Sequence, residues 1–236
     1  MKIIVGYPPL NDARGFIQVG QNRQSKIFSV GEEAAIFPCV MAWAATMLKQ
    51  AGHEVIWCDA QTEGLSSAEF YGRLRVAEPD LILWEAKTPS IKATWGAVRD
   101  VKNLLPSCKV VLCGDHVTAL PDETLKNSPT DAVILGGDYD FAIQDFVRNP
   151  GMKGPINFGT ELPLTTLPII DRTLCRWRLY SRMGNYLRRP GTHGYSARDC
   201  WWRHEGGCTF CSWTNTFKNY RQLSVDQFMA DVESAY

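Results

Sequence analysis

Three cysteines stand within twelve residues late in the chain: Cys200, Cys208 and Cys211, the last two spaced C-x-x-C. Three thiolates are the number that holds three irons of a four-iron cluster and leaves the fourth iron open. With His204 or His193 as a fourth ligand, the same cysteines would instead form a tetrahedral zinc site. Spacing alone leaves both readings open. The other five, Cys39, Cys58, Cys108, Cys113 and Cys175, are scattered among apolar and aromatic neighbours and read as small buried residues.

The bulk composition limits what surrounds these cysteines. At 236 residues there is room for one large domain or one and a half ordinary ones. Hydrophobic residues at 45% and charged residues at 21% support a real core and exclude a disordered chain. Lys plus Arg equals Asp plus Glu at 25 each, so no global field favours nucleic acid or a membrane surface as partner. The apolar run after Met1 is too short for a signal peptide, and no stretch approaches the roughly 20 apolar residues that span a bilayer. A cytoplasmic protein without disulfides is expected.

Five short apolar runs, at residues 2–7, 54–58, 81–84, 109–113 and 132–135, lack alternation and read as strands buried on both faces. Helical spacing fills 34–50, 67–76, 91–105 and 140–147, with Gly52 placed to end the first helix. The link over 117–130, which contains Pro121 and Pro129, looks shorter and less regular. Strand–helix alternation of this kind predicts a five-stranded parallel sheet with helices on both faces, an α/β Rossmann-like (flavodoxin-like) domain over 1–148.

Ligands of such sheets sit at the carboxyl ends of the strands. The candidates there are Thr88 and Ser90 after the third strand, and Gly114, Asp115 and His116 after the fourth. Gly136, Gly137 and Tyr139 follow the fifth. Small hydroxyls can bond amide or phosphate groups, and paired glycines let a bulky ligand approach the backbone. About 25 residues rich in Gly, Asn, Arg and Gln follow Pro8-Pro9, a loop length that usually serves function. Neither G-x-G-x-x-G nor G-x-x-x-x-G-K-[ST] is present, so dinucleotide and nucleotide-triphosphate sites have no support.

The succession of Pro8-Pro9, residues 51–60, residues 79–82, Cys113 to Thr118 and Asp131 to Gly137 resembles the cobalamin-binding domain of cobalamin-dependent radical S-adenosylmethionine enzymes. The resemblance implies that the strand-end loops surround the cofactor's nucleotide tail. Two departures stand out. Family members often carry Gly-Glu-x-Glu where this chain has Gly137-Asp138-Tyr139-Asp140, and the Asp-x-His-x-x-Gly motif that supplies a cobalt ligand is absent. His116 is therefore not expected to ligate cobalt.

Residues 149–191 are expected to be a linker, since Pro and Gly crowd 149–168 and argue against regular structure. The arginines at 176, 178, 182, 188 and 189 read as a solvated helix or a domain-packing segment rather than a nucleic-acid contact. From 192 onward, Arg198-Asp199-Cys200-Trp201-Trp202 and Gly207-Cys208-Thr209-Phe210-Cys211 resemble the cluster loop of the same enzymes, with Phe210 in the place of the aromatic near the adenine. Seven residues separate Cys200 from Cys208 where three are usual. The resemblance implies a [4Fe-4S] cluster on Cys200, Cys208 and Cys211, S-adenosylmethionine as co-substrate, and methyl transfer or a radical cyclisation or rearrangement. It also implies an electron donor of the flavodoxin or ferredoxin type and a small-molecule or peptide substrate. A strand at 192–197 and a helix at 224–236 capped by Ser224 would open a (β/α) barrel. With 25 residues after Cys211, against the order of 200 that a barrel needs, the chain reads as incomplete and inactive by itself. The alternatives are a radical enzyme whose Rossmann-like domain binds no cobalamin, and a zinc-stabilised binding module.

Overall fold

The computed structural model describes residues 1–10, 17–18, 27–28, 37–157, 162–182, 197–198, 216 and 219–234. Strand β1 (Lys2–Tyr7) is followed by a small antiparallel ladder of β2 (Ile17–Gln18) with β3 (Ile27–Phe28). Helices and strands then alternate: α1 (Cys39–Gln50), β4 (Glu54–Asp59), α2 (Ser67–Ala77), β5 (Leu81–Glu85), α3 (Ile91–Leu104) and β6 (Lys109–Cys113). After them come α4 (Asp115–Ala119), α5 (Pro121–Asn127), β7 (Ala132–Leu135), α6 (Tyr139–Arg148) and β8 (Gly154–Asn157).

Local chemistry explains the boundaries. Pro38 keeps the preceding residue out of the helical region, so α1 starts at Cys39, later than its apolar spacing suggests. Helix α2 opens on a reciprocal cap in which Ser66 accepts from the Glu69 amide and Glu69 accepts from the Ser66 amide. The irregular link after β6 resolves into two short helices because Pro121, lacking an N–H, suits the first position of a new helix better than the interior of a continuing one.

Strand order is β4-β1-β5-β6-β7-β8, parallel throughout. The flavodoxin-like reading holds, with a correction: the sheet has six strands, not five. The sixth, β8, lies in the Pro- and Gly-rich stretch expected to be irregular. Proline is tolerated there because β8 pairs only with β7, and an edge strand has no outer ladder to supply. Helices α1 and α6 cover one face and α2 and α3 the other, around Trp43 and Trp84 respectively. No helix among the described residues is long and apolar enough to cross a membrane.

Residues after β8 extend the first of these cores. A short 3₁₀ turn (Leu164–Thr166), α7 (Arg178–Arg182), β9 (Ala197–Arg198), β10 (Arg221–Gln222) and α8 (Val225–Glu233) follow, with β9 and β10 antiparallel. Trp43 Nε1 donates to the Pro168 carbonyl at 3.0 Å, and Arg172 pairs with Asp231 of α8 at 2.5 Å, both side chains buried. Cys175 and Tyr180 are buried in the same core, so this part of the arginine-rich stretch packs against the domain. Ser224 caps α8 as expected, accepting from the Gln227 amide. Residues 192–196 of the expected barrel strand lie outside the described residues.

Gly6 sets the tightest backbone contact. A Cβ there would stand 2.0 Å from the Cys58 carbonyl oxygen, so β1 and β4 can pair only around a glycine. Gly6→Ala should therefore destabilise the chain by about 4 kcal/mol or more, the range reached by few single substitutions, and urea unfolding followed by circular dichroism will show it.

Candidate functional site

The chain steps from β1 to β4 on one side and then returns to β5 on the other, so the topological switch lies between β1 and β5. Charged residues gather at the carboxyl ends around it. Tyr7 Oη donates to Glu85 at 2.5 Å, and the Lys87 ammonium lies 2.5 Å from the other Glu85 oxygen. Lys87 also reaches Asp115 at 3.2 Å, and Asp115 accepts from the Thr216 hydroxyl at 3.1 Å. Burial, reinforced by Glu85, holds the Tyr7 phenol well above its ordinary value, so it stays a donor.

A second cluster adjoins the first. The Gly137 amide donates to the Thr216 carbonyl at 2.7 Å. The next turn carries Asp138 and Asp140, and both accept from Arg198, with Arg221 also bound to Asp138 at 2.9 Å. Burial pushes the Asp140 carboxyl above the usual carboxylate range, with Arg198 opposing it. Although burial works against its charge, Arg198 is held protonated above its ordinary range by Asp140 and Asp138.

The residues singled out from the sequence divide among these surroundings. Thr88 is exposed on the turn after β5, with its hydroxyl 3.2 Å from His116 Nδ1. Ser90 is buried and tied inward, donating to the Lys87 carbonyl. His116 is buried beside the Trp95 ring, and its Nε2 has no hydrogen-bond partner, with Glu123 standing 3.7 Å away. Burial lowers its pKa, so at neutral pH the imidazole is uncharged. Gly114, at φ +104°, leaves no space of its own: a Cβ would meet Glu85 Cγ at 2.8 Å and the Ala86 carbonyl at 2.9 Å. The Gly136 amide donates to Thr118, and Tyr139 is buried in the core at the start of α6. Cys200, Cys208, Cys211, Phe210, His193 and His204 lie outside the described residues.

Sequence reading missed Glu85, Lys87, Asp140, Arg198 and Thr216 as members of this edge. The available signal was charge embedded in a run that otherwise reads as buried on both faces, at Glu85 and Lys87. The isolated cysteines behave as expected: all five are buried and outside any disulfide, and burial pushes the Cys39, Cys58 and Cys108 thiols up to about 12. They are thiols, not thiolates, and poor metal ligands.

Residues 35–141 match the family described as the B12 binding domain. This part of the chain is a B12 binding domain. The resemblance to cobalamin-dependent radical S-adenosylmethionine enzymes read from the sequence stands on it. The chain is 28% identical over 219 residues to an anaerobic magnesium-protoporphyrin IX monomethyl ester cyclase of Cereibacter sphaeroides, covering 83% of this chain and 34% of that enzyme. The enzyme of the same name from Rubrivivax gelatinosus is 32% identical over 101 residues, 42% of this chain and 18% of that protein. The chain thus spans about a third or less of these relatives. The fold also matches the radical S-adenosylmethionine methyltransferase TsrM from Kitasatospora setae, solved with cobalamin and a [4Fe-4S] cluster bound. That match has a TM-score of 0.59 at 14% identity and covers 99% of this chain and 45% of TsrM.

The B12 binding domain offers polar groups suited to cobalamin's amides and phosphate: the exposed Thr88 hydroxyl and the buried, unpartnered Nε2 of His116, a donor or an acceptor according to its tautomer. The carboxylates of the edge already have donors of their own, which suits a ligand rich in neutral amides.

Two outcomes follow from this electrostatics. Lys87→Met leaves Glu85 and Asp115 without their shared cation and should lower stability by about 3–5 kcal/mol in chemical denaturation. His116 has a folded pKa below its ordinary 6.5, so its contribution to stability is present above 6.5 and is lost as pH falls through the lower folded value. Between about pH 7 and about pH 5 the melting temperature of the wild type should therefore fall more steeply than that of His116→Gln.

Proposed function

We propose that this chain is part of a cobalamin-dependent radical S-adenosylmethionine enzyme, in which the B12 binding domain holds cobalamin and Cys200, Cys208 and Cys211 hold a [4Fe-4S] cluster. The observation that carries the reading is the match of residues 35–141 to the B12 binding family, with a C-x-x-C-containing cysteine triad later in the same chain. Further support comes from Arg198, two residues before Cys200 in sequence and seated on the carboxyl edge of that domain.

Thr88 and His116 would bond the cofactor's polar groups, and the backbone of Gly136 and Gly137 would border it. The three cysteines would leave one iron open for S-adenosylmethionine, with Phe210 beside its adenine. Bound together, the cluster and cobalamin supply one-electron cleavage of the sulfonium and carriage of a methyl group or of an electron. What this chain's own residues contribute is placement. The buried pairs Glu85–Lys87 and Asp140–Arg198 keep charge fixed at the edge, and Tyr7, held as a phenol, moves no proton near neutrality. The reaction is methyl transfer or a radical cyclisation or rearrangement on a small molecule or peptide, with a flavodoxin- or ferredoxin-type protein delivering electrons.

Anaerobic reconstitution with iron, sulfide and hydroxocobalamin tests this directly. The expected result is about four irons and four sulfides per chain, with retained corrinoid, and loss of the iron in Cys200→Ala, Cys208→Ala and Cys211→Ala but not in Cys58→Ala. One bound zinc without sulfide would make the triad structural. A cluster without corrinoid would leave a radical enzyme whose Rossmann-like domain only packs.

A further inference from the structure

Arg198 ranks with Trp43 and Trp84 among the largest side chains fully out of solvent in the described residues. It is the second residue of β9 and stands two residues before Cys200. Its Nη1 donates to Asp138 at 2.7 Å and to Asp140 at 3.0 Å, while Nη2 donates to the second Asp140 oxygen. The rings of Trp43 and Phe141 flank the guanidinium at 5.4 and 5.6 Å. On β10, in register with Arg198, Arg221 adds a second guanidinium to Asp138 and donates to the Leu162 carbonyl at 2.7 Å. Two cations meet two carboxylates.

A buried ion pair is a poor way to add stability, because desolvation offsets most of its attraction; apolar residues of the same volume do as well. A guanidinium gripped by a carboxylate does provide something an apolar contact lacks, which is one fixed orientation. The carboxylates here come from the start of α6, with Asp138 just before it and Asp140 in its first turn, immediately beyond Gly136 and Gly137. We propose that Arg198 is a positioning residue: clamped by Asp138 and Asp140, it fixes the segment leading into Cys200 against the carboxyl edge of the B12 binding domain. The turn that borders the cofactor site then also sets where the cysteine triad stands. The clamp itself is tested on the chain without cofactors, and only its consequence for the triad rests on the cluster reading.

The first experiment uses the full chain without cofactors. Amide hydrogen exchange at Arg198, Arg221 and Gln222 should quicken by about tenfold or more in Arg198→Lys and Asp140→Asn, while β1, β5 and β6 keep their protection. Asp140→Glu, which keeps the carboxylate, should stay close to the wild type. Unchanged exchange in both disruptive variants overturns the proposal. So does faster exchange throughout the sheet, since Arg198 would then hold the whole fold rather than one segment. The second experiment loads the chain with iron, sulfide and cobalamin and tracks microwave power saturation of the cob(II)alamin signal with the cluster oxidised and reduced. Variants that keep iron and corrinoid but lose the relaxation enhancement given by the reduced cluster support the proposal, and an enhancement equal to the wild type overturns it. A wild type that takes up neither cofactor sinks the functional reading instead, and the exchange result still decides the clamp.

Discussion

Carboxylates buried at the ends of parallel strands must find donors, and this chain has several in a row. Asp59 ends β4, Glu85 ends β5, and Asp138 and Asp140 follow β7, all buried, while the half-buried Asp115 follows β6. Each is matched. Tyr180 and Thr62 donate to Asp59, Tyr7 and Lys87 serve Glu85, Lys87 and Thr216 serve Asp115, and two arginines serve the last pair. An uncompensated carboxylate in such surroundings is expensive, so these pairings constrain the chain far from the sheet itself.

Most of the matching groups come from beyond the sixth strand. Tyr180, Arg198, Thr216 and Arg221 all belong to the later segment, and all meet the edge where flavodoxin-like sheets place their ligands. The B12 binding domain and this later segment therefore share a face through charge and hydroxyl contacts, with Trp43 and Tyr180 adding apolar burial. For the proposed function, in which two cofactors face each other, a polar, orientation-specific junction suits the task better than an oily one, which can slide. His116 is buried beside the Trp95 ring, with its Nδ1 toward Thr88 and its Nε2 without a hydrogen-bond partner.

Much of this was legible before any coordinates. Unalternating runs of Val, Ile and Leu marked five of the six strands, because strands covered on both faces need apolar residues at every position. The edge strand β8 escaped notice since Gly154 and Pro155 are breakers elsewhere, and only its place at the rim, with one neighbour, makes them acceptable. Gly114 and the Gly136–Gly137 pair were read alike as room for a ligand. Gly114 also packs β6 closely onto β5, a contact between residues nearly thirty apart that no local pattern reports.

The sequence by itself determined the sheet and its helices, the inert character of the five isolated cysteines, the spacing of the triad, and the kinship with B12 binding domains. These properties are written in local periodicity, in turn residues and in short motifs. Only the tertiary structure decided that Asp138 and Asp140, which looked like a departure from Gly-Glu-x-Glu, are the partners of Arg198. It also decided that Lys87 serves two carboxylates and that Leu164, Cys175, Tyr180 and Leu223 belong to the first core. Those facts depend on which charges share a buried volume, and burial is a property of the folded surface rather than of neighbours along the chain.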